Sequence, residues 1–192
     1  MILLRSGILN CQIRTETFIK QYDENRIKRQ KTSLKILGTW SVINITSGLA
    51  LRTRSEGDSY YFHEMNAGWN TINLAIAASG LLSLKKQTTS SNPFEMLESS
   101  LQYEKSLLFN AGLDLAYITA GAFLIERGIN EKELIRRQRF RGYGRSIILQ
   151  GMFLLLFDSV LYFNESRFSS ALREGMQSIY LMPGGLGIGL SL

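Results

Sequence analysis

The sequence is nearly without cysteine: Cys11 is the only one among 192 residues. Disulfide frameworks and cysteine-ligated zinc are therefore excluded within one chain. Cys11 does not read as a lipidation site, because Asn10 stands where a small residue should precede it and Arg5 breaks the apolar stretch before it. The same break makes Met1 to Asn10 a poor signal peptide. Histidine is equally scarce. His63 stands alone, too few for a histidine metal site, and no Ser-His-Asp, CxxC, HExxH or phosphate-loop pattern occurs. No catalytic residue, metal ligand or cofactor is expected. With Pro93 and Pro183 the only prolines, long tracts hold nothing that would interrupt a helix.

What is present is apolar length. Uncharged or singly charged runs extend from Ile36 to Leu51, Met65 to Leu84, Ser106 to Ile125 and Ser146 to Asn164, against the roughly 20 residues a spanning helix needs. Bulk composition conceals them, with 45% apolar residues and a mean hydropathy of -0.01. Charge sits in the connections, and the four runs hold only Asp114 and Asp158. A soluble four-helix bundle shows a polar face on every helix, which runs such as Phe153 to Phe157 lack. The fold expected is all-α: a four-transmembrane-helix antiparallel bundle with long helical extensions. Spans are placed at about 34–52, 64–84, 106–126 and 146–164, with Lys35 and Arg52 snorkelling from the first.

Three segments follow: a flexible N-terminus (1–14), a single transmembrane domain (15–168) and a C-terminal tail (169–192), glycine-rich from 182. Thr15 to Ser33 is charged, lacks Gly and Pro, and predicts a helix emerging from the membrane. Gly57 and Asp58 supply a turn. Asn92, Pro93 and Glu95 make a helix start. Gly128 and Asn130 are expected to end that helix, Asn130 with Glu133 to cap the next, and Gly142 and Gly144 to weaken it.

Net charge is +6, with basic residues gathered at Arg14 to Lys35 and Arg127 to Arg145. Nucleic acid is not expected as a partner, since no aromatic or groove-reading motif accompanies the charge. Basic flanks of membrane helices attract anionic headgroups at about 1 kcal/mol per residue, and Arg136, Arg137, Arg139 and Arg141 are candidate headgroup contacts. Thirteen basic residues on the side of the N-terminus against nine opposite place both termini in the cytoplasm. With so slight an asymmetry, dual topology in an antiparallel dimer stays open.

The polar residues inside the runs fall on narrow helical faces. Trp40, Asn44 and Ser47 share one. His63, Asn66, Asn70 and Asn73 share the second, Asn110, Asp114 and Tyr117 the third, while Gln150 and Asp158 lie about 80 degrees apart on the fourth. Rise per residue predicts two layers, Asp114 level with Asp158 and Asn44 level with Asn73. Burying a charged aspartate at such depth costs at least about 2.5 to 3.5 kcal/mol, so Asp114, Asp158, Asn44, Asn70, Asn73, Asn110, Tyr117 and Gln150 form a candidate buried polar network or ion or proton site. His63 and Asn66 are a candidate interface site, and Trp40 and Trp69 read as packing or interface anchors. Ala67, Thr71, Ala75 and Ser79 suit close packing within the bundle; Gly112, Ala116 and Ala120 suit another subunit.

The function expected is that of an assembly or interaction component, its partners the lipid bilayer and either itself or another membrane protein. The alternative is a small transporter or channel-like subunit using Asp114 and Asp158. An interfacial enzyme using His63 and Glu64 comes third.

The runs LGTWSVINITSGLA (Leu37 to Ala50), YFHEMNAGWNTINLAIA (Tyr61 to Ala77), LLFNAGLDLAYITAG (Leu107 to Gly121) and RFRGYGRSIILQGMFLLLFDSVLY (Arg139 to Tyr162) together resemble an uncharacterised membrane family of Bacteroidetes-type bacteria, a domain of unknown function. The resemblance covers about Phe18 to Phe163. It implies a four-helix membrane fold in the bacterial plasma membrane and carries no activity, so it assigns no residue a role.

Overall fold

Nothing between Thr15 and Ser33 can break a helix, and the charged stretch passes into the apolar one without a turn. The result is α1 (Ile2–Arg52), one uninterrupted helix of 51 residues. The computed structural model describes residues 2–87 and 92–180, with side chains described at 17, 19–87 and 92–174. Three further helices follow: α2 (Gly57–Lys86), α3 (Pro93–Asn130) and α4 (Leu134–Tyr180). The fold is all-α. The helices reach past both ends of 15–168; the glycine-rich stretch from 182 lies outside the described residues.

Each junction has a local cause. Gly57 begins α2 with φ +59, a left-handed conformation that a β-carbon would strain. Asp58 in the first turn of α2 and Lys85 and Lys86 in its last complement the helix dipole. Asn92 caps α3 as its sequence predicts: its side-chain oxygen accepts the Phe94 amide at 3.0 Å, and Pro93 takes the first helical position. The other end differs from expectation. Gly128 stays helical, Asn130 donates back to the Glu126 carbonyl at 3.3 Å, and the next turn is held by Glu131, whose carboxylate accepts the Glu133 amide at 3.1 Å.

Short turns make sequence neighbours antiparallel. Helix α1 packs on α2, α2 on α4 and α4 on α3. The seams close where glycine removes a side chain. A β-carbon on Gly121 would stand 2.7 Å from the Gly144 carbonyl, and one on Gly144 2.5 Å from the Gly121 carbonyl. Far from weakening α4, Gly144 lets the α3 and α4 backbones touch. Gly151 rests against the Asp114 carbonyl in the same way, and Gly48 against His63 and Ala67. Gly112, by contrast, faces open space.

The packing is inverted relative to a water-soluble protein. Gln150 and Asn70 are 0% exposed, whereas Phe109 and Leu156 are 68% exposed. Ile43, Ile72, Phe123, Met152, Val160 and Phe163 also face outward, a surface suited to a hydrocarbon solvent. Helices α1, α3 and α4 are each long and apolar enough to cross a membrane. Helix α2 is not among the three; Asn66, Asn70 and Asn73 lower its apolar content, and all three are buried.

Beyond the apolar zone, α1, α3 and α4 continue together. Ile19, Tyr22, Met96 and Leu172 form a small core there, flanked by Leu97 and Phe168. Polar contacts tie the same extension: Asp23 pairs with Arg26 at 2.8 Å, and the Tyr22 hydroxyl donates to the Phe168 carbonyl.

Candidate functional site

Three helices contribute to a closed circuit of hydrogen bonds at the bundle centre. Trp40 Nε1 on α1 donates to Gln150 Oε1 on α4 at 3.1 Å. Gln150 Nε2 donates to Asn66 Oδ1 on α2. Asn66 Nδ2 donates to Asn44 Oδ1 at 2.9 Å, and Asn44 Nδ2 returns to the Trp40 carbonyl at 2.8 Å. Each of the three side-chain amides uses both its oxygen and its nitrogen, so the burial of Asn66, Asn44 and Gln150 carries no unpaired group. Phe153 lies flat on Trp40, ring centroids 3.8 Å apart and planes 5° from parallel, which fixes the indole that closes the circuit.

This redistributes the residues singled out from sequence. Asn66, assigned with His63 to an interface site, is the hub of the central circuit. Trp40, read as a packing or interface anchor, is a donor in it. Asn44 pairs with Asn66 at 2.9 Å and not with Asn73, whose Nδ2 has no protein partner. The signal for Trp40 was its shared helical face with Asn44. Sequence periodicity carries no register between helices, so it could not name the partner.

A second polar layer lies toward the extension. Asp114 and Asp158 are both buried. They are not level. Asp114 is beside Gly151, one heptad before Asp158, which is about 10 Å along the axis. Because side chains lean toward their own helix N-terminus and the two helices are antiparallel, the carboxylates lean toward each other. Asn110 lies beside Asp158. Tyr117 meets Trp69 edge to face at 4.8 Å, and one turn further Asn73 and Asp114 share a height. Here saturation fails: Asn70 Oδ1, Asn73 Nδ2 and Asp114 Oδ2 are buried without a protein partner. Asn70 Nδ2 donates to the Asn66 carbonyl at 2.8 Å, which joins the two layers.

Ion pairs clamp the end of the bundle at the 53–56 turn. Glu64 accepts from the Tyr143 hydroxyl at 2.7 Å and pairs with Arg52 at 3.0 Å. Burial, then the hydrogen bond to Glu64, pushes the Tyr143 phenol up to about 12. With Glu64 engaged twice and Phe62 against the His63 ring at 5.1 Å, His63 and Glu64 do not converge on a reactive centre. The basic cluster is also distributed. Arg141 pairs with Asp58 at 3.2 Å, Arg136 with Glu133, and Arg139 stacks over Tyr61 at 5.4 Å. The Arg137 carbonyl lies against Gly128.

The circuit, the α3–α4 glycine seam and both polar layers all fall within residues 36–159, the stretch matched by a family of unknown function, DUF6992. The chain belongs to this family. The resemblance stated from the sequence is thus correct as to an uncharacterised domain. The family's matched region holds the apolar part of the bundle and, of the extension's core, Met96; Ile19, Tyr22 and Leu172 lie outside it. No curated protein and no solved structure matches the chain.

Proposed function

We propose that this chain is a multi-pass integral membrane protein of four spans that acts as an assembly or interaction component, held rigid by a buried polar network. The observation that carries the reading is the saturated circuit Trp40–Gln150–Asn66–Asn44. A transport path needs groups free to exchange partners, whereas a ring in which each side-chain oxygen and nitrogen has a partner staples α1, α2 and α4 in one register. The membrane proposed is a bacterial plasma membrane, with the extension formed by α1, α3 and α4 on the cytoplasmic side. The partner is another copy of the chain or a different membrane protein.

A second reading has its own support. Asp114 Oδ2 is buried and unpartnered, with Asp158 leaning toward it, as a proton or cation site in a small transporter or channel-like subunit requires.

Asp114→Asn and Asp158→Asn separate the two. An assembly component keeps its membrane complexes on native gels with either substitution and passes no ions in proteoliposomes. Proton- or cation-coupled flux in the wild type that both substitutions abolish, with complex size unchanged, overturns the scaffold reading.

A further inference from the structure

At the level where the apolar zone meets the extension, α1, α3 and α4 part to form a crevice of about 390 Å³. One end is polar, with Lys28, Arg29, Thr32 and Glu165; the other is apolar, with Ile36, Phe157 and Leu161. Lys28 stands about 9 Å above Leu34, where the first span begins, at the outer edge of the polar layers, which add about 5 to 8 Å on each side of the hydrocarbon core.

The groups at the polar end are incompletely matched. Glu165 is 3% exposed. Its Oε2 accepts from Arg29 at a long 3.4 Å, while its Oε1 is buried with no partner. A carboxylate oxygen held dry in this way calls for a hydrogen-bond donor of positive charge. Arg29 does not supply it, because its guanidinium is held over the Phe168 ring at 3.4 Å. Lys28 is exposed and makes no ion pair among the described residues, so the same mouth also lacks an anion. A single headgroup with a phosphate and a primary ammonium satisfies both, and its acyl chains continue the line of Ile36, Phe157 and Leu161.

We propose that this crevice binds one phospholipid of the phosphoethanolamine type, with its ammonium on Glu165 Oε1, its phosphate on Lys28 and one acyl chain along Ile36, Phe157 and Leu161. The proposal rests on the membrane reading given above. It requires the crevice to distinguish headgroups by whether they carry an ammonium N–H. A choline headgroup carries the charge without an N–H to donate, and a glycerol headgroup carries no cation.

Native mass spectrometry of the full chain in detergent, titrated with phosphatidylethanolamine, phosphatidylcholine and phosphatidylglycerol of identical acyl chains, tests this. The ethanolamine lipid should be retained at one copy with about tenfold preference, the ratio one charge-assisted hydrogen bond supports. Glu165→Gln should erase that preference and leave retention of the other two unchanged. Lys28→Ala, a surface change that cannot disturb the core, should lower retention of all three. Equal retention of the three lipids by the wild type, or a preference that survives Glu165→Gln, overturns the crevice assignment. Alkaline carbonate extraction of membranes isolates the underlying reading: release of the chain into the aqueous phase would remove both proposals, while a membrane-retained chain without lipid preference removes only this one.

Discussion

Trp40 and Gln150 are joined across 3.1 Å, although 110 residues separate them. That bond ties the first helix to the last and, with Asn66 and Asn44, encloses the bundle centre in a ring of side-chain amides. Its cost when broken follows from the groups it would strand.

Gln150→Leu leaves Trp40 Nε1 and Asn66 Oδ1 buried without partners. The expected loss is about 1–3 kcal/mol, seen as a lower midpoint of thermal unfolding in detergent. A cycle of Gln150→Leu and Asn66→Leu should be strongly non-additive, because either change opens the same ring. Simple additivity would show that the ring does not act as a unit.

The α3–α4 seam predicts opposite outcomes for two glycines on one helix. Gly121→Ala places a methyl 2.7 Å from the Gly144 carbonyl, so the backbones must separate, and folding yield and melting temperature should fall. Gly112→Ala meets nothing within 4 Å and should be neutral or stabilising by about 0.5–1 kcal/mol, the usual gain from removing glycine inside a helix. Equal melting temperatures for the two variants would contradict the seam.

Whether α2 is the fourth span is decided by its outer face. Ile72 and Ile76 point outward at 61% and 54% exposure, away from Asn66, Asn70 and Asn73. A spin label on Ile72→Cys in reconstituted protein should be relaxed by oxygen and shielded from a water-soluble nickel chelate, as should one on Leu156→Cys. Accessibility of the Ile72 label to the chelate would remove α2 from the bilayer.

Tyr143 predicts an alkaline limb. Its folded pKa is raised from 10.0 to about 12, so the neutral phenol is favoured by folding. The stability it contributes is complete below pH 10 and is lost as pH rises from 10 toward 12. Tyr143→Phe should be less stable than the wild type at neutral pH, through loss of the hydrogen bond to Glu64, and should lack this decline. Denaturant midpoints measured between pH 8 and 12 check it; a wild-type curve parallel to that of Tyr143→Phe would refute it.

Much of the architecture was legible because its causes are local. Asn92 and Pro93 cap and open α3 through atoms two residues apart. The polar faces of α1 and α2 follow from a period of 3.6 residues, and the asparagines on them are buried. Less was legible where a residue acts through distant chain. Trp40 gave no sign of donating to Gln150, and Glu165 gave none of holding a dry, half-paired carboxylate.

Composition and periodicity determined that the chain is helical, that its polar residues turn inward and that α1, α3 and α4 are apolar enough for a bilayer. Only the tertiary structure decided which polar groups meet. Height along one helix is fixed by 1.5 Å per residue, but height between helices is fixed by where backbones approach, at Gly48 against Ala67 and at Gly121 against Gly144. The α3–α4 contacts, with Gly151 against the Asp114 carbonyl, set Asp114 and Asp158 a heptad apart instead of side by side.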